Sequence, residues 1–357
     1  MGLTLNMFTV LFRCDGGPVI GMGHVTRCLA LAEELTRNHR CRAEFAVAHD
    51  RVATEQIGEA GYRVHQVPWQ HTAAHEPKWI KIVAARCGAP LVVCDVREGL
   101  DLRGLLWLRR AGLSVVLLDD SSERRLAADL AFYPPMPQLQ RLDWRGFSGH
   151  GYGGWKWVVL RRQFTGRRRE VAGGPPMILL SAGGADPAGI TLELVDALER
   201  VEGPMDPVVV LGSAYRQAQK LSRRLRRARH RYRVLSHVAD MAALMAQADL
   251  AVVSFGMTAY ELAAMGVPAI YVALSDDHAD SASTFQQAGM GINLGVHQRV
   301  KPDDIAAVIR QLLGDPKQVA AMSARGRSLI DGRGAERVAH QIVCYLRRSC
   351  VPASELA

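Results

Sequence analysis

Short apolar runs alternate with helix-like segments along almost the whole chain, and the alternation breaks once, near residues 161–176. Runs such as FTVLFRCD (8–15) and PLVVCDV (90–96) are apolar at nearly every position, which is typical of parallel strands buried on both faces of a sheet. A β-α-β order with right-handed crossovers then predicts a doubly wound sheet. The break joins a run of Arg to AGGPP, a composition typical of interdomain linkers.

The chain is therefore predicted to be an α/β protein with two Rossmann-like doubly wound domains facing across a cleft, over residues 1–165 and 176–357. Its 357 residues suit two domains of ordinary size. The predicted strands are 8–15, 43–48, 63–68, 90–96, 113–120, 176–184, 207–212, 232–238, 248–254 and 268–274. Helices are predicted at 24–35, 101–112, 302–314, 316–330 and 334–349. Ligands of open α/β sheets bind beyond the carboxyl ends of the strands, so the cleft is the expected site.

Composition excludes several classes of protein. No run approaches the roughly 20 apolar residues that cross a bilayer, and the N-terminus lacks the pattern of a signal peptide, so a cytoplasmic location is expected. The seven cysteines are scattered without a CxxC pair, which argues against a disulfide framework or a zinc site. Buried, inert thiols are the default interpretation.

The net charge of +9 raises the question of an anionic partner. Basic residues concentrate at 161–170 and 223–233, which are interpreted either as solvated surfaces or as segments attracted to anionic lipid headgroups at the inner face of the membrane. Nucleic-acid binding is not expected, because neither a known motif nor an aromatic platform accompanies the charge.

A glycine-rich loop after the first strand carries the strongest signal. The strand ends at Asp15, and a helix begins near His24 after a loop that contains Gly21 and Gly23. Glycines let the backbone approach a ligand, and the helix N-terminus offers N–H groups to an anion. The positive end of the helix dipole also favours a neutral imidazole that can accept a proton. The alternative is that His24 only caps the helix.

A second glycine loop follows the first predicted strand of the second half. Gly183 and Gly184 precede Asp186, predicted to be a helix N-cap, and Pro187, predicted in the first turn. The loop either cradles a phosphate or is a plain tight turn.

A third segment, from Ser254 through Gly256, opens a helix. Met257 and Thr258 lie in its first turn, where backbone N–H groups can bind phosphate. Glu261, one turn further, could accept hydrogen bonds from ribose hydroxyls or be an ordinary surface residue.

Paired aspartates follow the strand at 113–120. Asp119 and Asp120 could bind Mg²⁺ together with substrate phosphates. Capping of the next turn, with Arg124 and Arg125 balancing the charge, is the favoured interpretation, and no metal or other cofactor is expected.

These segments together resemble a known family. The motifs are RxDxxxxIGxGHxxRCLxLA from Arg13, LLDD with ADL following, a GY…LRxxF segment at 151–164, GGADPxxxT from Gly183 and SxGxTxxE from Ser254. They resemble the UDP-sugar hydrolase of the pseudaminic-acid pathway and the related spore-coat polysaccharide proteins. Both are relatives of the transferase that adds N-acetylglucosamine to the peptidoglycan lipid precursor, a glycosyltransferase-B protein. The resemblance covers about residues 8–300.

The resemblance implies metal-independent chemistry at the anomeric carbon of a UDP-linked amino sugar. His24 would be the general base, and Asp15 and Asp95 would orient it or hold sugar hydroxyls. The remaining implied substrate-binding residues are Gly21, Gly23 and Arg27 around the base, Gly183, Gly184, Ser254, Gly256, Met257 and Thr258 near the diphosphate, Glu261 at the ribose and Val238 at the uracil.

One segment departs from the family pattern. Many relatives have an Asn-Gln or Gln-Gln pair facing the donor sugar where this chain has Ser275-Asp276-Asp277-His278. Asp277 and His278 would contact different sugar substituents or supply another acid or base. The alternative is a solvated loop that caps the next helix through Asp277.

Two classes of function follow. The first is an enzyme of surface-glycan or nonulosonic-acid biosynthesis that releases UDP from a UDP-sugar. Hydrolysis is favoured because the N-terminal loop matches that of the hydrolase best. Transfer to a lipid-linked or other hydroxyl acceptor is the alternative, and it would give the basic segments a purpose at an anionic membrane. A 2-epimerase of similar fold is a further possibility, but it would need more acidic residues in the cleft than this sequence provides. The second class, a non-catalytic nucleotide-sugar binding protein, would leave His24 without a role.

Overall fold

The computed structural model describes residues 7–17, 20–48, 50–67, 75–170, 173–212, 214–236 and 238–350. The chain forms two compact units. The first unit runs to Arg161 and also takes in the segment from Arg333 onward, and the second unit is Arg162–Gly332.

A seven-stranded parallel sheet forms the centre of the first unit, in the order β3-β2-β1-β4-β5-β6-β7. Its central strands are rich in Val, Leu and Phe and are buried, as predicted for a sheet covered on both faces. The strands are β1 (Thr9–Cys14), β2 (Arg42–Val47), β3 (Arg63–Gln66), β4 (Leu91–Asp95), β5 (Ser114–Leu118), β6 (Leu130–Tyr133) and β7 (His150–Gly153).

Five helices cover this sheet: α1 (Gly23–His39), α2 (Arg51–Glu59), α3 (Glu76–Cys87), α4 (Leu102–Arg110) and, at the end of the chain, α12 (Gly334–Cys350). Val25 of α1, Ile57 of α2 and Ile342 of α12 share one buried cluster. Ile80 of α3 and Leu105 of α4 belong to another. Neighbouring residues of β1 point into different clusters, Val10 into the first and Leu11 into the second, so the two helix groups cover opposite faces.

The second unit repeats the plan with a six-stranded parallel sheet in the order β10-β9-β8-β11-β12-β13. Its strands are β8 (Met177–Ser181), β9 (Asp206–Leu211), β10 (Arg233–Ser236), β11 (Leu250–Ser254), β12 (Ala269–Ala273) and β13 (Gly291–Val296). Its helices are α5 (Ile190–Leu198), α6 (Ala218–Leu225), α7 (Met241–Ala246), α8 (Met257–Met265), α9 (Asp276–Gln287), α10 (Pro302–Gly314) and α11 (Pro316–Leu329). The prediction of two Rossmann-like α/β domains is confirmed.

The final helix differs from the predicted domain boundary. The prediction placed everything from 176 to 357 in one domain, but α12 packs on α1 of the first unit. Its apolar stripe, which includes Val338, Ile342 and Leu346, is buried there. Gly334 at its start lies against Val158, where an added Cβ would overlap the Val158 carbonyl oxygen. Because this apolar stripe is buried in the first unit, α12 belongs to that unit although it follows the second unit in the sequence.

The arginine-rich segment at 161–170 is bound to the second unit rather than being only a solvated linker. The Arg169 N–H donates to the Met265 carbonyl over 2.9 Å, and its guanidinium pairs with Asp249 at 2.6 Å. Arg167 pairs with Asp240 at 2.8 Å. These cations therefore have partners within the protein.

The six cysteines whose side chains the structure describes are free thiols, and Cys14, Cys28, Cys41 and Cys94 are buried. Burial raises the pKa of the Cys94 thiol to about 12 and that of Cys41 to about 11, as expected for inert core residues. No helix in the described ranges combines the length and apolar composition that a membrane span requires.

Candidate active site

The first site lies where the strand order of the first unit reverses. β1 pairs with β2 on one side and with β4 on the other, so their carboxyl ends form the switch point at which ligands bind in open α/β sheets. Asp95 is the last residue of β4 and is paired in register with Cys14. His24 lies in the first turn of α1, directly after the β1 loop. Topology thus brings together two predicted residues separated by 71 positions.

Asp95 fixes the orientation of His24. The His24 Nδ1 lies 2.7 Å from Asp95 Oδ1, and the imidazole side chain is 13% exposed. Arg27, one turn along α1, donates from Nε to Asp95 Oδ2 and from Nη2 to Oδ1, both over 2.7 Å. His24 therefore binds a buried carboxylate that a second cation also holds, and the interpretation of His24 as a helix cap is wrong.

The charge state of Asp95 determines the tautomer of His24. Burial alone would raise the pKa of Asp95, but the Arg27 guanidinium and the hydrogen bonds from His24 and Arg27 hold it far below its usual range. An ionised carboxylate only accepts hydrogen bonds, so His24 Nδ1 carries the proton. In the neutral imidazole the lone pair is then on Nε2, the atom that can accept a proton from a bound hydroxyl or water.

Asp119 extends this network. Arg27 Nη1 donates to Asp119 Oδ2 over 2.9 Å, which links the ends of β4 and β5. Asp119 has a positive φ of 55°, a conformation that aspartate tolerates better than most residues. The sequence identified the Asp119-Asp120 pair but not this role, because the partner, Arg27, is 92 positions away.

Of the predicted capping pair, only Asp120 holds the following turn, and it does so through Ser122, which is the N-cap residue. Asp119 binds Arg27 instead, and Arg125 donates to the Ser122 carbonyl rather than to either aspartate. Asp120 Oδ1 accepts hydrogen bonds from the backbone N–H and the hydroxyl of Ser122, and its Oδ2 pairs with Arg124 at 2.7 Å. Among the residues that the structure describes, no cluster of His, Cys, Asp and Glu has the composition to hold a metal ion.

Asp15 does not orient His24. Its Oδ1 accepts the Ala48 N–H over 2.7 Å and pairs with Arg13 at 2.5 Å. Arg13 in turn donates to the buried Glu76 over 2.6 Å. Asp15 thus ties the end of β1 to the end of β2, and Asp95 takes the orienting role that the sequence offered to either residue.

Gly17 and Gly21, in the segment between Asp15 and His24, exchange two backbone hydrogen bonds, at 3.1 and 2.8 Å. Gly21 has φ of 77°, and open space surrounds the position that its Cβ would occupy. Gly23 opens α1, whose N-cap residue Met22 provides no side-chain cap. N–H groups in this first turn are therefore available to a ligand.

A second site forms at the switch point of the second unit, between β8 and β11. Gly183 follows β8 with φ of 82°, and Ser254 ends β11. A Cβ on Gly183 would lie 3.5 Å from the Ser254 hydroxyl, so the two predicted segments meet. Gly184 accepts the Ala214 N–H over 3.1 Å and is open on the side where its Cβ would be.

Helix α8 starts at this switch point. Gly256 is its N-cap residue, no side chain caps the helix, and Met257 and Thr258 form the first turn. The first N–H groups are thus free of a side-chain cap, as the phosphate-binding prediction requires. Glu261 lies in the second turn and is buried, which rules out the surface interpretation.

Asp186 caps α5, although from a different position than predicted. Its carboxylate accepts the N–H groups of Ile190 and Thr191 over 2.8 and 2.9 Å. The N-cap position itself is Gly189, and Pro187 precedes the helix. The positive φ of Asp186, 45°, turns the chain so that its side chain reaches forward to these donors.

The remaining predicted residues lie at the ends of outer strands. Val238, half-buried, follows β10, two strands from β8. Asp277 and His278 occupy the first turn of α9, so this segment is a helix and not a loop. Ser275 accepts the His278 N–H over 3.3 Å and provides the cap that was predicted for Asp277. Asp276 pairs with Arg299 at the surface.

A cavity of about 460 Å³ lies away from both switch points, at the amino edge of the first sheet. It is lined by residues that include Ser114, Asp129 and Tyr345, where β5 and β6 begin. None of the predicted site residues borders it.

Comparison with known proteins finds relatives along most of the chain. Residues 192–339 match the glycosyltransferase family 28 C-terminal domain. The spore coat polysaccharide biosynthesis protein SpsG of Bacillus subtilis is 25% identical over 342 residues, which cover 91% of this chain and 94% of that protein. The chain is a homologue of this spore coat protein. The relationship follows from similarity along both units rather than from one motif.

A second relative is a UDP-N-acetylglucosamine–N-acetylmuramyl-(pentapeptide) pyrophosphoryl-undecaprenol N-acetylglucosamine transferase from Rhodopseudomonas palustris. It is 30% identical over 178 residues, and the alignment spans about half of each protein, 47% of this chain and 48% of the relative. Among solved structures, MurG of Acinetobacter baumannii superposes with a TM-score of 0.72 at 17% identity, covering 94% of this chain and 99% of that one. This chain thus has the glycosyltransferase-B fold.

Proposed function

We propose that this protein transfers a sugar from a UDP-sugar donor to a hydroxyl group of an acceptor, with His24 as the general base. The observation that carries the proposal is the His24–Asp95 contact at the first switch point, with Nε2 as the proton-accepting atom. A match to a glycosyltransferase domain and a relative whose name includes a UDP-sugar donor support it.

The proposed reaction needs only a proton acceptor and a leaving group, which are His24 and UDP. His24 Nε2 takes the proton of the acceptor hydroxyl while that oxygen forms a bond to the anomeric carbon. The bond from the anomeric carbon to the UDP oxygen breaks, and UDP leaves with the electron pair. Asp95 stabilises the imidazolium that forms, and Arg27 keeps Asp95 ionised.

In this proposal the second switch point binds the donor. N–H groups near Gly184 and at the start of α8 hold the diphosphate, and Glu261 and the Val238 backbone contact ribose and uracil. Asp277 and His278 near the start of α9 face the sugar and contribute to its selection. Hydrolysis is the second candidate, because the same Nε2 can deprotonate water and the segment from Arg13 to Ala32 resembles that of a UDP-sugar hydrolase.

Product analysis separates the two reactions. Purified protein is incubated with a panel of UDP-amino sugars, with and without a lipid extract as the acceptor source, and the products are identified by mass spectrometry. UDP released together with a new glycoconjugate only in the presence of extract supports transfer. Free sugar and UDP from protein alone support hydrolysis instead. No turnover of any donor by a protein that binds UDP would contradict both and support a non-catalytic role.

Two glycines test the placement of the diphosphate. Gly184 and Gly256 have backbone conformations that alanine adopts, and no atom lies within 4 Å of an added Cβ. Gly184→Ala and Gly256→Ala are therefore expected to keep the melting temperature of the wild type. Each is expected to weaken UDP binding by about tenfold or more, because a methyl group blocks close approach of a phosphate to the backbone.

Gly314→Ala is the matched control, since its Cβ also meets nothing and Gly314 lies at the far end of α10. Calorimetric titration with UDP gives the affinities. Unchanged affinity in both Gly184→Ala and Gly256→Ala would place the diphosphate elsewhere.

A further inference from the structure

Helices α3 and α4 expose two large apolar side chains to solvent. Ile82 of α3 is 50% exposed and Trp107 of α4 is 40% exposed. One exposed apolar residue needs no explanation, but an exposed Trp in a cationic setting is typical of surfaces that contact a membrane interface. The position of these two residues relative to each other and to nearby charges is therefore informative.

The two side chains lie on one surface. Both helices cover the same face of the first sheet, and each connects parallel strands, so they run in the same direction. A Cβ on Gly104 would lie 2.6 Å from Pro77, so the helices touch near their starts. Ile82 is five residues beyond Pro77 and Trp107 three beyond Gly104. At 1.5 Å per residue, their levels along the helices differ by about 3 Å.

Cations surround this apolar pair. The segments Pro77–Cys87 and Leu102–Arg110 contain no Asp or Glu. Glu76, at the start of α3, is buried against Arg13. Arg109 pairs with Asp129, and the other cations of the two helices form no ion pair within the described residues. We call this surface the α3–α4 face, and it consists of Lys78, Lys81, Ile82, Arg86, Arg103, Trp107 and Arg110.

The basic segment at 223–233 is a weaker candidate than its composition indicates. Arg224 pairs with Asp196 at 2.5 Å, Arg233 with Asp206 at 2.6 Å and Arg229 with Glu202 at 3.8 Å. Its aromatic residue, Tyr232, donates its hydroxyl to Glu199. Three of its seven arginines are thus balanced internally, and it has no exposed aromatic side chain.

We propose that the α3–α4 face binds the surface of a membrane that contains anionic lipids. Trp107 and Ile82 enter the interfacial layer, and the surrounding cations contact lipid phosphates. The apolar centre favours a bilayer over a nucleic acid, because a phosphate backbone offers no apolar partner for Ile82 and Trp107. This membrane contact rests on the proposed function, because it would bring the enzyme to a lipid-linked acceptor.

Co-sedimentation with vesicles tests this surface. Full-length protein is mixed with vesicles of phosphatidylcholine, with or without phosphatidylglycerol, at an ionic strength of about 0.1 M, where the Debye length is about 10 Å. The wild type is expected to bind only the vesicles with phosphatidylglycerol. Each cation near such a surface raises the partition coefficient about fivefold, so Lys78→Glu/Arg103→Glu should lower it by about tenfold or more. Ile82→Gln/Trp107→Gln should also lower it, although the charge is unchanged.

The control variant is Arg223→Glu/Arg227→Glu, with the same change in charge on the basic segment, and its partition coefficient should stay within about threefold of the wild type. No binding of the wild type to anionic vesicles would overturn the proposal. So would loss of binding in the control while the α3–α4 variants still bind. UDP affinity and the melting temperature are measured for every variant, so a failed membrane assay is distinct from a failed nucleotide assay or from misfolding.

Discussion

His24→Ala is expected to lower turnover by about 10²- to 10⁴-fold while leaving the affinity for UDP close to that of the wild type. The substitution removes the proton acceptor at the first switch point. The protein groups that are proposed to bind UDP lie at the second switch point. Steady-state release of UDP and calorimetric titration with UDP measure the two quantities separately.

His150→Ala serves as the control, because His150 is an exposed residue at the edge of the same sheet. It should leave both quantities unchanged. Full turnover in His24→Ala would remove the base from the mechanism. Loss of UDP affinity with unchanged turnover at saturating donor would assign His24 to binding instead.

Asp95→Ala is expected to lower the free energy of unfolding by about 3–5 kcal/mol. The substitution leaves the buried Arg27 guanidinium without the carboxylate that accepts two of its hydrogen bonds. Asp95→Asn keeps the shape of the side chain and should cost less stability. It should nevertheless reduce turnover about 10²- to 10⁴-fold, because an amide N–H facing Nδ1 favours the tautomer in which Nε2 carries the proton.

The depressed pKa of Asp95 also predicts how stability depends on pH. An aspartate in the unfolded chain has a pKa of about 3.9, and the folded value lies below it. Its contribution is therefore complete above about pH 4 and is lost as the pH falls toward the folded pKa. Denaturant unfolding should show a steeper loss of stability below about pH 4 in the wild type than in Asp95→Asn. Parallel profiles would show that Asp95 is not held ionised by Arg27.

Much of the fold followed from the sequence because its strands are buried on both faces. Ten predicted strands correspond to strands in the structure, and the last three helices were placed within a residue or so. The strands without a prediction are β6, β7 and β13. β7, with the sequence HGYG, is an exposed edge strand, so it lacks the apolar run that identified the others.

The candidate sites were harder to predict where long-range contacts decide them. Local patterns were enough to single out His24 and the glycine loops, since each follows a buried strand, whereas Asp95 was implied by the family resemblance. They could not rank Asp15 against Asp95 as the partner of His24, because the strand order β1-β4 determines which carboxylate faces α1. Likewise, the roles of Arg27 and Asp119 and the docking of α12 depend on residues brought together only by folding.

Titration of the wild-type protein with UDP, in the presence of EDTA and without any sugar, tests whether this glycosyltransferase-B protein uses a uridine nucleotide donor without a metal ion. We expect saturable binding of one UDP per chain, unaffected by EDTA and weaker in Gly184→Ala. Absence of binding at millimolar UDP, or binding that appears only when a divalent cation is added, would contradict it.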